Sequence, residues 1–269
     1  MASNESSPII EVRNVTVRYG NRTVLDNVSL SVVPREIRVI LGPSGCGKTT
    51  LLKTILGLLV PASGSVWLFG TQVGDLDSQE TMSLLKRAGI LFQNGALLGS
   101  LTVEENVALP LQMHTKLPPA LVREIVHLKL SQVGLGQAAP LLPEELSGGM
   151  RKRAALARAL VLDPPVLFCD EPSAGLDPVT AAGLDELLLS LRSSLSITIL
   201  VVTHELASIE AIADNIVFLY KGGVLYEGPL SGAKLLAEGP VFDFFMRKDS
   251  APGRTQAASE FPFLVEQTA

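Results

Sequence analysis

Cysteine is nearly missing from this chain, with Cys46 and Cys169 the only two in 269 residues and no CxxC spacing between them. A framework of several disulfides is excluded, and a reducing compartment is the simpler setting. Histidine is also scarce, at three, and forms no cluster with Cys or Glu that supports a structural metal. Positive charge is in deficit: 22 basic against 27 acidic residues give a formal charge of -5. That balance offers no bulk attraction to nucleic acid or to anionic lipid, so nucleic acid is not expected as a partner. Apolar runs such as "ITILVV" and "LLLSL" are short, well under the roughly 18 to 20 residues needed to cross a bilayer. If the protein works at a membrane, another chain does the spanning. The opening "MASNESSPII" has neither a basic n-region nor an apolar h-region, so no signal peptide is expected.

What is present is apolar mass, 47% of residues, enough for one large core or for a core with a smaller subdomain attached. Alternation predicts two strands in "IIEVRNVTVRYG" and "TVLDNVSLSVV", turning around Gly20 and Asn21. "EIRVIL" reads as a buried strand, "TTLLKTILGLL" as a helix, "SGSVWLFG" as a strand and "DSQETMSLLKRA" as a helix with an acidic first turn. Over residues 101–146 the texture changes to helices broken by "LPPA", "VGLG" and "APLLPEE", the mark of a mostly helical insert. An α/β pattern then returns: helix "GMRKRAALARALV", strand "PVLFC", helix "PVTAAGLDELLLSLRSS", strand "ITILVV", helix "ELASIEAIA", strand "NIVFLY" and a hairpin into "VLYEG". Met150, Ala154, Ala157 and Val161 form one apolar helix face, and Leu184, Leu187, Leu188 and Leu191 another. The expected organisation is one domain over residues 8–247 with a helical insert at about 95–160, followed by a tail over 248–269 whose "FPFLV" could dock on a partner or on the body of the protein.

Between a strand and a helix stands "GPSGCGKTT", which fits the phosphate-loop pattern G-x-x-x-x-G-K-[ST] through Gly42, Gly47, Lys48 and Thr49. Amides along Ser44, Gly45, Cys46 and Gly47 can turn toward an anion, and the helix that follows adds its dipole. Lys48 offers positive charge to the β and γ phosphates of ATP, the Thr49 hydroxyl can ligate Mg²⁺, and Thr50 adds a hydroxyl near the α-phosphate. The alternative, a plain glycine turn, explains neither the lysine nor the hydroxyls.

A second element is "PVLFCDEP", an apolar strand ending in two carboxylates. Such groups cost desolvation unless they are used or paired. Asp170 is placed to hold Mg²⁺ through water, and Glu171 to reach the attacking water as general base. A third is "LSGGMRKRAALARAL", where Ser147, Gly148 and Gly149 make a second anion-binding nest at a helix start. Two phosphate-binding ends on one chain point to a dimer in which one copy's nest closes the other's ATP. No internal repeat appears, so one nucleotide core is encoded and not two.

Up to about Glu238 the chain resembles the nucleotide-binding subunit of ATP-binding-cassette transporters. That resemblance implies a P-loop nucleoside-triphosphate hydrolase fold, α/β, with an N-terminal antiparallel β part and an inserted helical subdomain. It also implies site roles: Tyr19 in "VRYG" stacking on adenine, Gln93 in "LFQNGALL" at the helical junction as a nucleotide and metal residue, Asp177 in "SAGLDP" at the contact between subunits, and His204 in "VVTHE" as switch histidine. Met150 stands where the commonest signature has glutamine; the ATP contact is assigned to Ser147 and the glycine amides and does not depend on it. "LFQNGALLGSLTVEENVALPL" and "LSGGMRKRAALARAL" further resemble the Mla-type lipid-transport ATPases of outer-membrane lipid asymmetry. Partners then expected are a second copy, an integral permease, an MCE-domain protein and a STAS-domain subunit, with the chain peripheral on the cytoplasmic face of a bacterial inner membrane. The competing readings are another transporter cargo, a soluble ATP-operated clamp of DNA repair or ribosome work, and a nucleotide-binding module without turnover. The lack of a coiled coil, zinc hook, second cassette or basic face disfavours the clamp, and the presence of Glu171, Gln93 and His204 together disfavours the silent module.

Overall fold

A computed structural model describes residues 7–74 and 76–247. The tail over 248–269, including the docking expectation for "FPFLV", lies outside the described residues, as do residues 1–6.

β1 (Ile10–Tyr19) and β2 (Arg22–Val32) form the anticipated antiparallel hairpin, turning through Gly20 at φ 57°. β3 (Ile37–Leu41) is buried along its whole length and leads through the glycine loop into α1 (Lys48–Ile55), which stops at Gly57 in the left-handed region. β4 (Ser63–Leu68) and β5 (Thr71–Gln72) follow. α2 (Ser78–Leu85) starts at a capping box in which Asp77 and Glu80 satisfy each other's amides, which explains the acidic first turn. β6 (Ala88–Leu91) is a strand that periodicity does not signal, four residues with a single β-branched side chain.

The chain is then helical until it rejoins the sheet: α3 (Val103–His114), α4 (Pro119–Gln132) and α5 (Gly148–Leu160), with short 3-10 turns between the last two. β7 (Val166–Asp170), α6 (Pro178–Leu195), β8 (Thr198–Val202), α7 (Leu206–Ile212), β9 (Asn215–Tyr220) and β10 (Gly223–Pro229) restore the α/β alternation. Two short helices, α8 (Leu230–Lys234) and α9 (Pro240–Phe245), complete the described chain and were not anticipated.

Two sheets result, one of four strands in the order β2-β1-β4-β5 and one of six in the order β10-β9-β3-β8-β7-β6. The larger is parallel except for β10. Strand alternation divides its core. Ile37, Val39 and Leu41 pack with the helical side, whereas Ile40 packs with α1 and the apolar face of the first hairpin. Arg38, also on β3, is buried and bonded to Glu36 at 3.0 Å and Glu227 at 3.2 Å, which fastens β10 to the sheet centre. No helix among the described residues is long and apolar enough to cross a membrane.

Strand register decides what meets at the carboxyl edge, where α/β sheets bind ligands. Ile40 and Asp170 both align with Val202, and Leu91 aligns with Cys169. Gly42, Gln93, Glu171, Thr203 and His204 therefore all leave the sheet at one edge.

Candidate active site

The phosphate loop is shaped by two glycines that nothing else could replace without movement. At Gly42, φ 145°, a Cβ would stand 2.1 Å from the Leu219 carbonyl oxygen and 2.9 Å from Cys46 Sγ. At Gly47, φ 111°, it would stand 2.6 Å from Leu25 Cδ2. No side chain caps α1, so the amides of its first turn face the loop. Lys48 is buried, and its Nζ donates to the carbonyls of Gly42 at 2.8 Å and Pro43 at 3.2 Å, which holds the ammonium within the loop. Ser44, Gly45 and Thr49 are exposed and Thr50 is half-buried. Cys46 is buried, and burial pushes its thiol up against the opposing charge of Lys48.

Asp170 ends β7 with Oδ1 buried and without a hydrogen-bond partner among the described residues. Burial, followed by the charge of Glu171, raises its pKa; Lys53, Lys48 and Lys152 oppose the rise. An orphaned carboxylate oxygen at the end of the strand beside the phosphate loop fits a hard cation. No cluster of three or more His, Cys, Asp or Glu surrounds it among the described residues. One carboxylate is enough for Mg²⁺, which takes one or two together with substrate phosphates and water.

Glu171 sits at φ 48°, a left-handed conformation that costs a residue with a Cβ about 1–2 kcal/mol. Its surroundings hold it there. The Glu171 amide donates to Val202 O at 2.8 Å, the Thr203 hydroxyl donates to Oε2 at 3.1 Å, and His204 Nδ1 lies 2.8 Å from Oε1. With Nδ1 protonated, His204 donates to this oxygen. The Glu171 side chain, mostly covered at the carboxyl edge of the sheet, is placed to take a proton from a water beside it.

Ser147, Asp177 and Tyr19 have no hydrogen bond to this cluster among the described residues, whereas the Gln93 backbone is joined to it through Lys152. Ser147 and Asp177 are N-caps: Ser147 Oγ accepts from Met150 N at 3.2 Å, and Asp177 Oδ1 accepts from the amides of Val179 and Thr180 at 3.0 Å. Both are exposed, and these bonds stay within their own helix starts. Gly149 is tightly placed, since a Cβ would come 2.4 Å from Thr180 Cγ2 and the side chain would have to shift, while Gly148 has more room, 3.4 Å from Leu176 Cδ2. Gln93 exposes its side chain, and Tyr19 is exposed at the end of β1. The neighbouring strand β2 does reach the phosphate loop, through Leu25 against Gly47.

Two residues of the site escaped the sequence reading. Thr203, fully buried, orients Glu171 and also accepts from Glu205 N at 3.1 Å. Lys152, on α5, donates from Nζ to the carbonyls of both Gln93 and Glu171. Neither belongs to a pattern of its own.

The family model described as ABC transporter matches residues 25–174. The chain is 40% identical over 271 residues to the Mycobacterium tuberculosis protein named "Probable ribonucleotide transport ATP-binding protein mkl", covering 99% of this chain and 75% of that one. It is 44% identical over 220 residues to the Haemophilus influenzae "Intermembrane phospholipid transport system ATP-binding protein MlaF", covering 82% and 83%. Among solved structures, the ATP-binding cassette MJ0796, a dimer in a post-hydrolysis state bound to ADP and Pi, matches with a TM-score of 0.75 and 33% identity over 82% of this chain and 98% of that one. With the phosphate loop, the carboxylate pair and the inserted helices in one fold, the chain belongs to the ABC transporter family and is an ATP-hydrolysing subunit of such a transporter.

Proposed function

We propose that this subunit powers the movement of phospholipid between bacterial membranes, working as a head-to-tail pair beneath an integral permease on the cytoplasmic face of the inner membrane. The observation that carries the lipid reading is the 44% identity with the phospholipid-transport protein of H. influenzae, joined to the Mla-like segments "LFQNGALLGSLTVEENVALPL" and "LSGGMRKRAALARAL". An MCE-domain protein and a STAS-domain subunit complete the complex on this reading. A second cargo, ribonucleotide, has its own support in the mycobacterial relative named for it.

The chemistry assigns each group a task. The loop amides and Lys48 cradle the phosphates, with Tyr19 against the base. Thr49, Asp170 and Gln93 would hold Mg²⁺, which would supply positive charge to the γ-phosphoryl oxygens. Glu171 accepts the proton of the attacking water, and His204 and Thr203 fix its two oxygens while it does so. Ser147 with the Gly148 and Gly149 amides faces the γ-phosphate of the other copy, and Asp177 lies on the same contact. Closure of the pair and its reopening after hydrolysis pass through the loop at Gln93 into the permease.

Replacing Ser147 with Arg tests the pairing. The variant should still bind ATP through its own Lys48 and Thr49, yet fail to form the ATP-closed pair and to hydrolyse; closure and turnover like the unaltered protein contradict the assignment. Cargo is tested by reconstituting the subunit with its permease. ATP-dependent transfer of labelled phospholipid between vesicles supports the lipid reading, and uptake of labelled ribonucleotide without lipid transfer replaces it.

A further inference from the structure

Lys152 is a cation placed where burial is costly. It is only 7% exposed on α5, and burial pushes its pKa below the ordinary lysine value, against the opposing influence of Cys169, Glu171 and Asp170. Its Nζ donates to the Gln93 carbonyl and, at 3.1 Å, to the Glu171 carbonyl. One ammonium thus joins the loop after β6 to the loop after β7. Farther along α5, Arg158 donates to the carbonyls of Gly95 and Ala96, both at 2.7 Å. A Cβ at Gly95 would be 3.3 Å from the Ala155 methyl, so the whole segment 93–96 lies tight on this helix. The helix that grips it is capped at its start by Ser147.

Glu171 is the other end of the link. Its left-handed backbone persists only while neighbours over-determine it. Its carbonyl accepts from Lys152 and, at 3.2 Å, from Ala174 N, and only the first of these comes from another element.

We infer that Lys152 is a positioning residue for ATP hydrolysis: by holding the carbonyls of Gln93 and Glu171 on one ammonium, it carries a displacement of the segment 93–96 to the backbone that aims the Glu171 carboxylate. The inference rests on the proposed role of Glu171 as general base. Gln93 keeps an exposed side chain while its backbone is fixed, which suits a segment pushed from outside and read inside.

The test is ATP turnover against ATP concentration in the assembled transporter, for the unaltered subunit, Lys152→Met, Lys152→Arg and Glu171→Gln. Lys152→Met should lower kcat about tenfold or more, since small misplacement of a catalytic group is expensive, and leave the KM for ATP within about threefold. Lys152→Arg, whose guanidinium has separate N–H groups for the two carbonyls, should recover most of the loss. Where Lys152→Met does not assemble, Lys152→Gln, too short to serve both carbonyls, should show the same split. The inference is overturned by an unchanged kcat, by a raised KM with kcat kept, or by equal loss in the Met and Arg variants. Glu171→Gln separates the two layers: if it turns over normally the general-base role fails, whereas a silent Glu171→Gln beside an unaffected Lys152→Met removes the positioning role alone.

Discussion

His204 Nδ1 lies 2.8 Å from Glu171 Oε1, on a residue whose other oxygen is taken by the Thr203 hydroxyl at 3.1 Å. The two donors are consecutive in sequence, just past the end of β8. A single backbone segment therefore fixes both oxygens of the carboxylate, and its displacement would release them together.

Removing either donor should misaim the carboxylate without touching the phosphate loop. His204→Ala is expected to lower turnover by about 10- to 10²-fold with little change in ATP affinity, and Thr203→Val by about tenfold, the scale of a displaced catalytic group. Steady-state kinetics on the assembled transporter would check both. A rise in KM without loss of kcat would place these residues in ATP binding instead.

The glycines of the phosphate loop make a graded prediction. Gly47→Ala drives a Cβ to 2.6 Å from Leu25 Cδ2 and 3.2 Å from Val24 O at φ 111°, whereas at Gly45, φ 77°, the space is open. Overpacking costs about 1–3 kcal/mol in addition to the left-handed cost that both share. Gly47→Ala should thus lower Tm about twice as far as Gly45→Ala or more, with each kcal/mol worth about 2–4 °C in a chain of this size. Thermal melts of the two variants decide it, and equal shifts would refute the close approach of Leu25.

Asp185 on α6 supplies a pH test away from the site. It is buried with Oδ1 unpartnered among the described residues, and burial raises its pKa, partly offset by a hydrogen bond from Ser208. A carboxyl whose pKa rises on folding favours the native state while protonated. That contribution is complete below the unfolded value of about 3.9 and is lost as pH climbs through the raised folded value. Asp185→Asn should accordingly melt higher than the unaltered protein at neutral pH, and the gap should close as pH falls toward about 4. A lower melting temperature at neutral pH would mean that the charge is compensated.

The first hairpin, the glycine loop and the acidic strand end were legible because local chemistry dictates them: alternation in β1 and β2, positive φ at Gly42 and Gly47, carboxylates at the close of an apolar strand. β6 was not, since "AGIL" owes its strand form to pairing with β7 and not to its own residues. Lys152 and Thr203 look ordinary in sequence. Lys152 stands off the apolar face through Met150, Ala154 and Ala157, where a solvated lysine is expected, and its carbonyl partners come from segments remote in the chain. Ser147 and Asp177 show the converse: their positions were readable from the motifs, while within the chain each bonds as a helix cap.

The central claim, an ATPase whose general base is Glu171, is tested most directly by Glu171→Gln in the assembled transporter. The exchange keeps the size of the side chain and an oxygen for Thr203, and removes the proton acceptor. Turnover should fall by about 10²-fold or more while ATP binding persists and the ATP-closed pair becomes easier to trap. Near-normal turnover would contradict the account.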